Sequence, residues 1–139
     1  MFLDADAELD RIKPDVRHVP EVLEIRAHIY AGLHKWELML VVASTLVRHD
    51  PANIQWIVWR AYAARRAESL ESAQSILLEA VERNPDAAIC HYNLACYECQ
   101  LGKLEVAKAR LHHAIKLDGG FRVLALDDED VKPLWDSFE

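Results

Sequence analysis

The apolar positions of this chain recur at helical spacing, and they do so in paired runs. Leu104, Ala107, Leu111, Ala114 and Ile115 fall at i, i+3, i+7, i+10 and i+11, one stripe along a single helix face. Upstream, Leu94, Ala95 and Leu101 keep the same spacing. Gly102 lies between the two runs, where a left-handed residue ends a helix at little steric cost, so residues 88–118 predict a helical hairpin. Earlier in the chain the same reading predicts helices over about 21–31, 35–48, 54–67 and 70–83, with 104–117 last. Pro20 and Glu21 suit the opening turn of the first, Asn53 the N-cap of the third, and Asp86 the cap of the helix that begins the hairpin. The run Leu38-Met39-Leu40-Val41-Val42-Ala43 is apolar nearly all round, which predicts a helix sandwiched between neighbours.

A shift of 34 residues brings like side chains into register. Ala27, Ala61 and Ala95 align, as do Met39, Ala73 and Ala107, then Trp36, Leu70 and Leu104, then Leu46, Ala80 and Ala114, and finally Pro51, Pro85 and Gly119. Small residues at fixed places let antiparallel helices approach to about 8–10 Å. The prolines stand just beyond each second helix, where a missing N–H and a fixed φ stop it.

On these residues the chain resembles three tetratricopeptide (TPR) repeats. The third repeat carries Tyr92-Asn93-Leu94-Ala95, Gly102, Ala107, Ala114 and Leu117-Asp118, with Gly119 in place of the closing proline. The second carries Ala61, Leu70, Ala73, Ala80 and Asn84-Pro85; the first departs furthest, with Met39 and Leu46 where alanine is usual. The resemblance implies an all-α, right-handed α–α superhelix of stacked antiparallel helix pairs. It implies one domain over 1–139, with a capping helix and linker at 1–19, repeats at 20–53, 54–87 and 88–120, and a C-terminal cap at 121–139. Phe2, Ala5, Leu9 and Ile12 lie one period upstream of Trp36, Met39, Ala43 and Leu46, so residues 3–12 read as the second helix of a truncated earlier repeat. After Gly119-Gly120, residues 121–126 and 131–138 read as short helices flanking the acidic turn 127–130. That turn reads as helix capping, since an EF-hand calcium loop needs spaced ligands and a glycine.

Charge narrows the function classes. The net charge is −7, more than half of it in residues 121–139, which disfavours nonspecific binding to nucleic acid or anionic membrane. No apolar run is long enough to span a bilayer, and the first residues lack the basic-then-apolar order of a signal peptide. Three cysteines, Cys90, Cys96 and Cys99, in or beside one helix fit free thiols in a reducing compartment, and the expected location is cytoplasmic.

The resemblance places function on the inner curve of the stack, lined mainly by each repeat's first helix. Gln55, Trp59, Tyr62 and Arg66 form one continuous face, with Ile57, Ala61 and Ala64 on the face that packs inward. Glu24 and His28 flank it on one side, and Tyr92, Asn93, Cys96 and Gln100 on the other. Trp, Tyr and Arg dominate binding hot spots. Packing of Trp59 and Tyr62 against a neighbouring helix is the alternative, and Arg65 and Arg66 fit either a solvated face or a site for a partner's carboxylate. TPR domains that clamp the C-terminal carboxylate of heat-shock chaperones use Lys, Asn and Arg where this chain has Glu24, His28, Trp59, Ile89 and Asn93. Only Asn93 matches, so that clamp is rejected. A mixed aromatic and polar groove for a protein or peptide segment is the expected function, and a self-associating assembly or secretion chaperone, here a homodimer, is the alternative.

Enzyme chemistry finds little support. There is no Gly-rich phosphate loop, no G-x-S-x-G elbow and no H-E-x-x-H. Cys96 and Cys99 form C-x-x-C, and Cys90-His91 and His112-His113 lie near in sequence, so zinc or redox use stands as a remote alternative. Cysteines one helical turn apart read as small packing residues, and no cofactor is expected.

Overall fold

The computed structural model describes residues 19–137. The expected helix over 3–12 and the C-terminal Phe138 lie outside them. Helices follow in the order α1 (Pro20–Gly32), α2 (Trp36–His49), α3 (Ile54–Ala67), α4 (Leu70–Arg83), α5 (Ala88–Gln100), α6 (Leu104–Leu117) and α7 (Gly120–Ala125), then a 3-10 helix over Glu129–Ser137. Bounds at 54–67, 70–83 and 104–117 coincide with those expected from periodicity. Asn53 caps α3, its side chain accepting the Trp56 N–H at 3.1 Å. Asp86 does not cap α5: the N-cap is Ala87, without a side-chain bond, and Asp86 lies one residue further out.

The chain divides into two compact units, Met1–Ser69 and Leu70–Glu139, and the division falls inside the expected second repeat. In the first unit α2 packs against both α1 and α3. Its core joins Leu23, Ala27, Ile29 and Tyr30 of α1, Met39, Val42 and Leu46 of α2, and Trp56 and Ala63 of α3. Each large side chain so buried contributes roughly 1.5–3 kcal/mol. In the second unit α5 packs against α4, α6 and the 3-10 helix. Leu77, Leu94 and Leu111 are buried there, with Ala73, Ala95, Ala107 and Ala114 letting the backbones draw close.

The helix expected to be sandwiched is not covered all round. Met39, Val42, Ala43 and Leu46 of α2 are buried, but Leu38 is exposed and Val41 is 64% exposed. One face meets α1 and α3; the opposite face stays bare among the described residues. The Trp36, Leu70, Leu104 register also differs from a core position, being half-buried at Trp36 and Leu70 and exposed at Leu104.

Helix ends repeat as closely as helix faces do. Lys35 N–H donates to the Tyr30 carbonyl and Lys103 N–H to that of Glu98, while His34 and Gly102 donate to Ala31 and Cys99. This is the pairing in which the residue after the helix turns left-handed. Gly102 takes φ +80°, and His34, 68 residues earlier, takes φ 56° with a side chain that resists it. His34→Gly is therefore expected to raise stability by about 0.5–1 kcal/mol, less whatever the ring's stacking on Trp36 contributes. His34→Val should lower it. Thermal midpoints of the two variants check the sign.

Candidate functional site

In the first unit the expected face of α3 meets Trp36, the first residue of α2. The Arg66 guanidinium lies over the Tyr62 ring at 3.6 Å and over Trp36 at 5.1 Å. Arg66 Nη1 also donates to the Tyr62 carbonyl at 3.0 Å, one turn back. Trp36 meets Tyr62 edge-on at 5.7 Å between ring centroids and stacks with His34 at 5.3 Å. Tyr62 and Arg66 remain exposed, and with Trp36 they form a connected aromatic and cationic surface. An open groove of about 370 Å³ beside it is lined by His34, Lys35, Trp36, Glu37, Leu38, Arg66 and Ala67.

The rest of that face is more tightly held. Trp59 is half-buried and meets His28 edge-on at 4.9 Å. Glu24 accepts the Trp56 indole N–H at 3.0 Å, tying α1 to α3. Gln55 is exposed and Arg65 half-buried. Ile57, Ala61 and Ala64 are buried, as expected of the packing face. Trp36 is the member sequence reasoning missed, because the repeat register treated it as the equivalent of Leu70 and Leu104. Its signal was its size: an indole stands where the other repeats carry leucine.

In the second unit, Tyr92 and Cys96 do not line an open groove but are buried beneath the C-terminal segment. Tyr92 O–H donates to Asp128 Oδ2 at 2.6 Å, its ring stacks on Phe121 at 4.9 Å, and Gln100 Nε2 donates to the Asp130 carbonyl at 3.1 Å. Asn93 is half-buried. Asp128 Oδ1 accepts the Asp130 N–H at 3.0 Å, so the acidic turn caps as expected and also reaches back to α5. Burial, then the neighbouring Asp128, pushes the Tyr92 hydroxyl's pKa well up, which keeps it a neutral donor.

Cys96, Asp128 and Asp130 bring ligand atoms within 4.8 Å of one another, a donor set that can hold a metal ion. The chemistry argues for a hydrogen-bonded cap instead. Asp128 already receives Tyr92 and the Cys96 thiol, the latter at 3.8 Å. Burial first, then Asp128 and Asp130, pushes the Cys96 pKa far up, away from the ligating thiolate. Burial likewise raises Cys90 and Cys99 to about 11. All three cysteines are free.

Beside this cap lies a polar network of which the sequence reading named only His91 and His113, as remote zinc candidates. Glu98, only 1% exposed, takes both arms of Arg110, Nε to Oε1 at 2.7 Å and Nη2 to Oε2 at 3.1 Å. His91, 7% exposed, has Nε2 2.7 Å from the Pro85 carbonyl and meets the His113 ring edge-on at 4.5 Å. An open groove of about 530 Å³ is lined by His91, Glu105, Val106, Ala109, Arg110 and His113. Burial lowers the His91 pKa; the Pro85 carbonyl opposes this, and His113 and Arg110 reinforce it.

No family model matches the sequence, and no curated protein is found similar to it. Solved structures are similar in fold. A crystal structure of MamA aligns with 98% of this chain and 78% of its own, at TM-score 0.77 and 15% identity. A MamA RS-1 double mutant aligns over 86% and 67%, at TM-score 0.73 and 16% identity. The first TPR of Spaghetti (RPAP3), solved with the HSP90 peptide SRMEEVD, aligns over 86% and 89%, at TM-score 0.67 and 19% identity. With the 34-residue register of buried small residues, these likenesses show that the chain takes the all-α helical-repeat fold of the tetratricopeptide-repeat proteins.

Proposed function

We propose that the chain is a non-catalytic protein-interaction module, and that its first unit holds a protein or peptide segment on the Trp36–Tyr62–Arg66 surface. The observation that carries this is the stacked guanidinium: Arg66 is held over two aromatic rings yet stays exposed. An arginine fixed in this way loses little entropy on binding and offers its fork to a carboxylate. Lys35 adds a positive charge at the groove beside Glu37, and Leu38 an apolar wall, which with Arg66 suits a segment pairing an acidic with an apolar side chain. A TPR fold that takes up an HSP90 peptide is precedent for the mode, not for the ligand. Glu24, His28 and Trp59 stand where the chaperone carboxylate clamp needs other residues, and Glu24 is already engaged by Trp56.

Affinity capture from native extract tests the reading. Trp36→Ala with Arg66→Ala is expected to keep the helical circular dichroism and to lower capture of the partner by at least about tenfold, a hot-spot loss. Capture that survives the double substitution would place the site elsewhere.

A second reading has its own observation. Val123 is 74% exposed, and Leu124 and Leu126 are exposed beside it, so the C-terminal cap turns apolar side chains outward. Self-association through this patch is expected to appear as concentration-dependent sedimentation that Val123→Asp abolishes.

A further inference from the structure

The second unit carries a site that the protein-binding reading does not use. His91 Nε2–H donates to the Pro85 carbonyl, which leaves the lone pair of the neutral ring on Nδ1. That Nδ1 is buried and has no hydrogen-bond partner among the described residues. A buried acceptor left unpaired is costly, so its persistence needs a reason. The second imidazole supplies one. His113, exposed on α6, sets its ring across that of His91 at an interplanar angle of 86°.

We propose that His91 and His113 bind a divalent metal ion of the zinc, nickel and copper class, with water completing its coordination. Three features fit that chemistry. A metal-bound histidine commonly donates its other ring N–H to a carbonyl, which fixes the tautomer and raises ligand basicity; the Pro85 carbonyl does so here. Imidazole nitrogen is the ligand type these ions favour over oxygen. The groove also offers a carboxylate: Glu105 stands on its wall, and Arg110 beside it is held by both of its bonds to Glu98. A bound ion would join α5 to α6 from the groove side.

Zinc titration of the untagged full chain by calorimetry at neutral pH tests this. One equivalent should bind, and His113→Ala should weaken binding by at least about tenfold while His112→Ala, on the adjacent exposed residue, leaves it unchanged. His113 is exposed, so its loss should not unfold the chain; His91→Gln is the second variant and should weaken binding equally. Cobalt supplies an independent readout, with visible absorption from nitrogen and oxygen ligands and no thiolate charge-transfer band. The proposal is overturned by no stoichiometric uptake, by uptake indifferent to His113→Ala, or by a thiolate band, which would assign the metal to Cys96, Asp128 and Asp130.

Discussion

Arg110→Ala is expected to destabilise the second unit by about 3–5 kcal/mol, the cost of leaving a buried carboxylate without its counter-charge. Glu98 sits in the last turn of α5 and is almost wholly enclosed, while Arg110 keeps one edge toward solvent. The loss is therefore asymmetric. Removing Arg110 strands a charge in the interior, whereas removing Glu98 leaves a guanidinium that can turn outward, so Glu98→Ala should cost less. Replacing both by leucine should come within about 1–2 kcal/mol of the parent, because an apolar pair of similar volume avoids the desolvation of two ions. Urea unfolding followed by circular dichroism gives all three values. A deficit below about 1 kcal/mol at neutral pH would show that water reaches Glu98 and that the pair is a surface bridge in effect.

The parts of the structure written in the sequence are those that depend on one-dimensional spacing. Ala27, Ala61 and Ala95 are buried at equivalent places, as are Met39, Ala73 and Ala107, because a repeat fixes which face of each helix meets its neighbour. Asn53 and Gly102 mark their helix ends through properties of their own, an amide acceptor and freedom at positive φ. The site was legible only where it rests on one helix. Tyr62 and Arg66 are one turn apart on α3, and their stacking follows from that spacing. Trp36 joins them from α2, and nothing local to either helix announces the meeting. The same holds for Glu98 with Arg110 and for His91 with His113, which come together across the α5–α6 hairpin. Tyr92 and Cys96 stand on the helix expected to line the groove and are covered by a segment more than 30 residues away. Periodicity identifies a helix's buried stripe; it does not say which later segment will settle on another stripe.

Trp56→Ala is expected to cost the first unit about 3–5 kcal/mol, the range for truncating a large aromatic side chain in a packed core. Trp56 belongs to the cluster formed by α1, α2 and α3 and is also the donor to Glu24, so one side chain supplies both apolar contact and the polar tie between α1 and α3. Trp56→Phe separates the two contributions. It keeps most of the ring area and removes the N–H, and because Glu24 is half-buried its carboxylate can turn to water, so the expected cost is about 1–2 kcal/mol. The functional consequence follows from geometry. Trp59, Tyr62 and Arg66 stand on the same helix as Trp56, and Arg66 reaches Trp36 only while α3 holds its rotation against α2. Trp56→Phe should therefore retain partner capture, whereas Trp56→Ala should weaken it even at temperatures where the chain remains helical. If Trp56→Ala instead leaves both unfolding and capture unchanged, α3 is held by contacts other than this core. The Arg66 surface would then owe nothing to its packing.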